Sequence, residues 1–371
     1  MLQASSPFRV SRLWPLVVLA LLAGCAGGPD PRTMLDAAAA GQESVAATHR
    51  ILVATTRTPA KARGELYGGG RADELGFARI DVTIPAGHRS GAVEQPRNGA
   101  RRDASKHFAA GEMAVYAAQA DFAQELRARV AATGGRALVF VHGYRTPFAN
   151  SVFRMAQIVH DSGYSGTPVL FSWASTGRTV DYVYDNNSAT IARDGLERTL
   201  TLLRAAGATR IDIVAHSMGN WATMEALRQL AIRGDTGVAD VLGDVVLASP
   251  DIDVDVFKAQ MRRIGIPKKP FFIMLSRDDR ALLVSGIIAG NRPRVGDYGD
   301  DAALASLGVT VVDVSGLKAG DGLNHAKFAD NPLLVRLLGE RLTQGLGQTI
   351  GSAAEIVITT PLEAFSVAVG Q

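Results

Sequence analysis

The stretch IDIVAHSMGN, residues 211–220, decides the fold. Its first residues predict a buried strand, and the residues after it have the spacing of a helix. Ser217 therefore occupies a sharp strand-to-helix turn that projects its hydroxyl from the end of the strand. Ala215 and Gly219 are small, as the close approach of strand and helix requires. The turn predicts a nucleophilic serine, although a serine that only caps the helix fits the same segment.

Short apolar runs, which indicate strands buried on both faces as in a parallel sheet, recur along the rest of the chain. Amphipathic stretches with helical spacing separate them. This alternation predicts a three-layer α/β domain, with a mostly parallel central sheet flanked by helices. Active sites in such sheets lie beyond the carboxyl ends of the strands. The predicted strands are Ile51–Thr55, Ala78–Ile84, Leu138–Val141, Val169–Phe171, Ile211–Val214, Val245–Leu247, Phe271–Leu275 and Val309–Val312.

A second motif, HGYR at residues 142–145, follows an early strand. A His-Gly pair in this position places the next backbone N–H beside the N–H that follows the nucleophile. We therefore expect the N–H groups of Tyr144 and Met218 to form an oxyanion hole. His142 and Gly143 are expected to support this loop rather than to take part in the chemistry.

We expect the acid and the base to follow the serine along the chain, because the triad order in this kind of fold is Ser, acid, His. His325 is the only one of the seven histidines that follows Ser217, and it lies in the loop after a late strand. Asp278 and Asp279 both follow the second strand after the nucleophile strand. Asp279 is the preferred acid, because hydrolases often have a small residue three positions before the acid, and Ser276 stands there. Three other acids remain open: Asp278, Asp251 and Asp253.

Together these motifs resemble a bacterial α/β-hydrolase family of unknown function. The likeness runs from about Thr48 to Gly345 and departs from the usual pattern at Ala174 and Thr56, where the family has Pro and often Asn. Neither position is expected to be catalytic. Further matching motifs are ATTR at 54–57, FSWAS at 171–175, SPDID at 249–253 and SRDDRAL at 276–282.

The resemblance implies a serine hydrolase that cleaves carboxylic esters through Ser217, Asp279 and His325, without a cofactor. It leaves the ester substrate undefined. An acyltransferase with the same triad and a non-catalytic envelope binding module are the alternatives. Tyr182 and Tyr184, in the segment 176–187, are candidates for lining the substrate site; the other interpretation is a solvated loop with buried tyrosines.

The first 25 residues have the pattern of an export signal. Arg9 and Arg12 precede an apolar run of roughly ten residues, whereas a membrane-spanning helix needs about 20. The run ends in LAGC, residues 22–25, which resembles the lipobox of bacterial lipoproteins. The resemblance implies cleavage before Cys25 and a lipid on its sulfur. We therefore expect a lipid-anchored protein of the bacterial cell envelope, at the outer membrane facing the periplasm.

Composition excludes several classes of protein. The chain has 371 residues, 47% of them hydrophobic, so it can bury a large core rather than remain disordered. Cys25 is the only cysteine, which excludes a disulfide scaffold and a cysteine-based zinc site. The net charge is only +3, and two of the arginines lie in the predicted signal, so nucleic acid is not an expected partner. No local motif is typical of a metal site or a phosphate-binding loop, so we expect neither metal nor cofactor.

The expected partners are a small acyl-ester substrate and the membrane, and the oligomeric state is left open. The predicted organisation is a signal peptide over 1–24, a flexible tether over 25–47, the α/β domain over 48–345 and a C-terminal extension over 346–371.

Overall fold

The computed structural model describes residues 35, 37–38, 44–61, 65–97, 100, 102–318, 320, 322–344 and 367–369. The predicted signal peptide, Cys25, and most of the tether and of the C-terminal extension lie outside these residues. No helix in the described ranges combines the length and the apolar content needed to cross a bilayer.

A central sheet organises the described part of the chain. Its strand order is β12-β11-β10-β9-β8-β6-β7-β2-β3-β5, and β1 and β4 form a separate parallel pair. All neighbours from β2 across to β11 are parallel, whereas β2–β3, β3–β5 and β11–β12 are antiparallel. The strands are β1 Ala37–Ala38, β2 Val45–Pro59, β3 Tyr67–Pro85, β4 Arg102–Asp103, β5 Ala109–Tyr116, β6 Arg136–Val141, β7 Thr167–Ser172, β8 Arg210–His216, β9 Leu242–Ala248, β10 Phe271–Leu275, β11 Val309–Asp313 and β12 Val367–Val369.

Helices cover both faces of this sheet. Two short 3₁₀ turns, Thr179–Asp181 and Val295–Asp297, lie among them. The α-helices are α1 Gln119–Ala132, α2 Phe148–Ser162, α3 Tyr182–Ala205, α4 Gly219–Arg233, α5 Thr236–Val241, α6 Val254–Ile264, α7 Arg280–Ile288, α8 Asp301–Ala305, α9 Lys327–Asp330 and α10 Pro332–Gln344.

The core lies in two layers, because successive residues of a strand point to opposite faces of the sheet. In β6, Leu138 and Phe140 pack with residues of α2 and α10. Val139 and Val141 of the same strand pack with α3, α4 and α6. The prediction of a three-layer α/β fold with a mostly parallel sheet is therefore confirmed. The carboxyl ends of β6, β8, β9, β10 and β11 meet along one edge, where the chemistry-bearing loops follow.

Candidate active site

Ser217 lies in the turn between β8 and α4 and has a strained backbone conformation. Its φ is 53°, in the left-handed region that non-glycine residues rarely adopt. The Ser217 N–H donates to the carbonyl oxygen of Ala248 at 3.0 Å. The buried Asn220 side chain also stabilises the turn, because its Nδ2 donates at 2.9 Å to the carbonyl oxygens of both Ser217 and Ala248. The strain is thus maintained by hydrogen bonds to the neighbouring strand β9.

Two glycines allow the backbone to close around this turn. A Cβ on Gly219 would lie 2.3 Å from the carbonyl oxygen of His142, closer than any real contact. A Cβ on Gly143 would lie 2.8 Å from Cβ of Ser217. The loop after β6 therefore lies directly against the serine turn at the end of β8, and neither glycine has room for a side chain.

The two predicted oxyanion donors lie on different segments, Tyr144 in the loop after β6 and Met218 in the turn after β8. Met218 directly follows the serine at the start of α4, and Tyr144 follows the glycine that touches it. Within the described part of the chain, no hydrogen bond uses the N–H of Tyr144 or of Met218. Both donors are therefore available for a negatively charged oxygen near Ser217.

His325 contacts Asp279 where the loops after β10 and β11 meet. Nδ1 of His325 lies 2.7 Å from Oδ2 of Asp279, whose side chain is fully buried. The other oxygen, Oδ1, accepts from the N–H groups of Ala281 and Leu282, each at 3.0 Å. The same carboxylate thus also caps α7, so these two backbone donors fix its position.

The three alternative acids have other partners. Asp278 contacts Lys327 and Asn324. Asp253 caps α6 by accepting from the N–H groups at positions 255 and 256. Asp251 accepts from the hydroxyl of Tyr182 at 3.0 Å and pairs with Arg294.

A family model described as "Alpha/beta hydrolase of unknown function (DUF900)" matches residues 116–341. The chain belongs to this family. The resemblance expected from the motifs is thereby confirmed, and the protein is a hydrolase by family. A comparison of the sequence with curated proteins finds no match.

Solved structures with a similar fold include two of a Pyrobaculum calidifontis esterase. The structure described as a hyperthermophilic esterase is 11% identical, with a TM-score of 0.38, over 90% of this chain and 97% of that chain. The monoclinic form is 12% identical, with a TM-score of 0.36, over 81% and 86%. Aspergillus fumigatus lipase B is 14% identical, with a TM-score of 0.29, over 44% of this chain and 43% of that chain. The match therefore spans less than half of the fungal lipase.

His216, the second residue of the AHSMG motif, supports His325 in this hydrolase. Its Nε2 donates to the carbonyl oxygen of His325 at 3.0 Å, and the two ring centroids are 4.7 Å apart. Burial, together with the nearby His325, lowers the pKa of His216 well below its usual range. The neutral ring therefore acts as a fixed hydrogen-bond donor, a role that the sequence analysis missed.

His142 is held in a neutral form at the start of the loop after β6. Its ring stacks on Trp173 with centroids 4.9 Å apart, and its Nδ1 lies 2.9 Å from the carbonyl oxygen of Gly143. Burial, reinforced by the charge of Arg57, lowers the pKa of His142 well below its usual range. A neutral, fully enclosed ring is consistent with the structural role predicted for it.

Arg57 connects several loops at this edge of the sheet through hydrogen bonds. The sequence motif ATTR includes it but does not predict this role. The guanidinium donates to the carbonyl oxygens of Gly68 at 3.0 Å, Ser175 at 2.7 Å and Thr146 at 2.7 Å. It also contacts Nε2 of His142 at 3.2 Å. Burial lowers the pKa of Arg57 to about 9. Its one visible sequence signal was an arginine at the end of a strand predicted to be buried.

The predicted lining tyrosines lie at the start of a helix rather than in a loop. The segment 176–187 forms a 3₁₀ turn and the first turns of α3. The ring of Tyr182 packs edge-on against Tyr144 at 5.3 Å, which places it beside the oxyanion loop. Tyr184 instead donates to the carbonyl oxygen of Gly69 at 3.2 Å and lies under Arg71. The interpretation of the tyrosines as part of a solvated loop was wrong, because both lie in the first turn of a helix. Their role in lining the substrate site stays a prediction.

A cavity of about 200 Å³ opens beside the serine turn. Its walls include Gly143 and His216 from the site, and Ala326, which follows His325. Arg145 and Arg154 line it as well. Among the described residues, its lining does not include Ser217, Asp279 or His325, so the cavity borders the candidate site without containing these three residues.

Proposed function

We propose that this hydrolase cleaves carboxylic esters through a covalent acyl-enzyme on Ser217, with His325 as base and Asp279 as the acid that orients it. The observation that supports this most is the 2.7 Å contact between His325 and Asp279, at the sheet edge that carries the strained Ser217 turn. A serine is a poor nucleophile without a base, so the proposal depends on all three groups acting together.

In the proposed reaction, His325 removes the hydroxyl proton of Ser217 as the serine oxygen attacks the ester carbonyl. Asp279 fixes the tautomer of His325 and stabilises the imidazolium. The N–H groups of Tyr144 and Met218 bind the tetrahedral oxyanion. His325 then returns the proton to the leaving alcohol, and water releases the acyl group by the same steps.

Exposed apolar side chains near the site favour a substrate with an apolar acyl group. They lie on α7, which begins directly after Asp279, and around the start of α3. A hydrogen bond of 2.8 Å between the Tyr182 hydroxyl and Oγ of Ser285 joins these two elements. An apolar surface of this kind gains free energy by covering a hydrocarbon chain. The exposed residues are Val180, Val183, Leu283, Val284, Ile287 and Ile288.

The proposed location is the bacterial envelope, with Cys25 carrying a lipid anchor. This part rests on the sequence pattern LAGC at residues 22–25 alone. A chain with Cys25→Ala is expected to lose incorporation of labelled palmitate. In a detergent phase separation it should move from the detergent phase to the aqueous phase. Incorporation equal to that of the wild-type chain would contradict the proposal.

Labelling of the purified full-length chain with a fluorophosphonate tests the catalytic proposal. We expect one adduct on Ser217, lost in His325→Ala and retained in Ser249→Ala. Ser249 is the matched control, because it is also a buried serine with positive φ, 44°, at the end of the neighbouring strand. Hydrolysis of p-nitrophenyl esters of increasing chain length, with and without added alcohol, then separates hydrolysis from acyl transfer. A folded protein that gives no adduct would favour the binding-module alternative.

A further inference from the structure

A second group of histidines lies outside the candidate active site. His142, His216 and His325 account for three of the seven histidines of the chain. Another three converge elsewhere: His49 on β2, His88 just after β3, and His160 near the end of α2. They are far apart in the sequence, so no local spacing revealed the group.

His88, His160 and Asp161 bring three metal-binding atoms together. Nε2 of His88 lies 2.7 Å from Oδ1 of Asp161. One ring nitrogen of His160 joins these groups, with all three atoms within 4.8 Å of one another. The side chains of His88 and Asp161 are only 6% and 2% exposed. Two imidazoles and a carboxylate in a largely closed setting form a donor set typical of zinc.

Each of these side chains is oriented by a further contact. Nδ1 of His88 contacts Oε2 of Glu94 at 2.9 Å. Because Nδ1 donates to this carboxylate, Nε2 is the nitrogen that can bind a metal ion once its own proton is displaced. His49 contacts Nδ1 of His160 at 3.2 Å. A carboxylate partner such as Glu94 is typical of metal-ligating imidazoles, because it orients the ring.

The Asp161 carboxylate is held in the same way. Its Oδ2 accepts from the N–H of Gly91 and from Nε2 of Gln157, both at 2.7 Å, which leaves Oδ1 for the ion. Because Oδ2 is occupied by two donors, the carboxylate binds through one oxygen.

We propose that His88, His160 and Asp161 bind a divalent first-row metal ion, with Zn²⁺ the best match. The ion takes the place of the proton between Nε2 of His88 and Oδ1 of Asp161, and that proton passes to solvent. Ligand bonds of about 2.1 Å around a tetrahedral ion separate donor atoms by about 3.4 Å. The two atoms that now lie 2.7 Å apart therefore move apart by about 0.7 Å when the ion binds. Water completes the coordination.

The inferred effect of the ion is to hold two segments of the fold together. It joins the segment after β3 to the end of α2. Through Gln157, whose Nε2 also donates to the carbonyl oxygen of Ala329 at 3.0 Å, it supports the chain just beyond His325. Metal binding is therefore expected to raise the melting temperature of the hydrolase.

Titration of the EDTA-treated, purified full-length chain with Zn²⁺ against a chromophoric chelator tests this proposal. We expect one equivalent to bind, with affinity reduced at least tenfold in His160→Gln and in Asp161→Asn. Glu94→Ala, which removes an orienting contact but no metal ligand, is expected to weaken binding about 10–100-fold. Co²⁺ in the same site is expected to give the absorption of a tetrahedral complex.

Two control variants locate the ion. His107→Gln changes a histidine outside both groups, and His325→Gln changes the candidate active site; both are expected to bind Zn²⁺ with unchanged affinity. Circular dichroism without metal verifies that each variant is folded. Three results would each overturn the proposal: no binding by the wild-type chain, loss of binding in His325→Gln, or unchanged affinity in folded His160→Gln. His88 would then be an imidazolium that pairs with Glu94 and Asp161.

Discussion

His216 donates a hydrogen bond from Nε2 to the carbonyl oxygen of His325 at 3.0 Å. The residue that precedes Ser217 therefore holds the backbone of the proposed base. The buried, neutral imidazole of His216 thus connects the turn that carries Ser217 to the loop that carries His325.

Replacing His216 with Phe tests whether this contact positions the base. Phe keeps an aromatic ring but cannot donate, so His325 loses one support. A hydrogen bond contributes about 1 kcal/mol, so we expect kcat to fall several-fold, up to about tenfold, with little change in KM. Steady-state ester hydrolysis measures both constants. A folded variant with wild-type kcat would show that the contact has no role in catalysis.

Asp279→Asn tests the choice of acid. Asn still caps α7 but cannot stabilise the His325 imidazolium, and the same change in a serine protease triad lowers kcat about 10⁴-fold. We expect a loss of that order, measured as hydrolysis and as the rate of fluorophosphonate labelling. Asp278→Asn, at the adjacent position, is the control and should stay within a few-fold of wild type. A larger loss in the control than in Asp279→Asn would assign the acid to Asp278.

Gly143→Ala tests the close approach of the oxyanion loop to the serine. The new Cβ would lie 2.8 Å from Cβ of Ser217, so the loop must shift and the N–H of Tyr144 moves with it. Loss of one oxyanion donor lowers kcat about 10²–10³-fold. Gly299→Ala is the control, because nothing lies within 4 Å of its added Cβ. Equal activity of the two folded variants would argue against this oxyanion hole.

Arg57→Met tests the fastening of the loops. It leaves the carbonyl oxygens of Gly68, Thr146 and Ser175 without their donor in a buried region, each at a cost of about 1–3 kcal/mol. We expect the free energy of unfolding in urea to fall by about 3 kcal/mol or more, together with slower labelling of Ser217. Arg336→Met on the exposed face of α10 should change neither. Arg57→Lys is not expected to rescue, because one ammonium cannot reproduce the fork of donors.

Acid pH should destabilise the hydrolase through His142 and His216. Burial lowers the pKa of both below the unfolded value of 6.5, so the unfolded chain takes up these protons first as the pH falls. The stabilisation is present above pH 6.5 and declines below it, by up to about 1.4 kcal/mol per pH unit for each histidine. Urea unfolding between pH 6.5 and 5 measures the slope. In His142→Gln the free energy of unfolding should depend less steeply on pH, by up to about 1.4 kcal/mol per pH unit. Identical slopes in the variant and the wild type would contradict a lowered pKa for His142.

The sequence by itself determined the layers of the fold and the serine turn. Apolar runs predict buried strands because each strand residue faces one of the two helical layers, as Leu138 and Val139 do. The small residues around Ser217 predict the turn because backbone contact there excludes a side chain at Gly219. Both signals are local, so they can be read without knowing the pairing of the strands.

Only the tertiary structure decided which distant side chains meet. Four aspartates were candidates for the acid, and the loops after β10 and β11 bring Asp279 to His325. Arg57 reaches the loops after β6 and β7 because β2 lies next to β7 and close to β6 in the sheet. His88 meets Asp161 for the same kind of reason. Contacts between residues tens to hundreds of positions apart follow from strand order and side-chain direction, which the pattern of a single sequence does not specify.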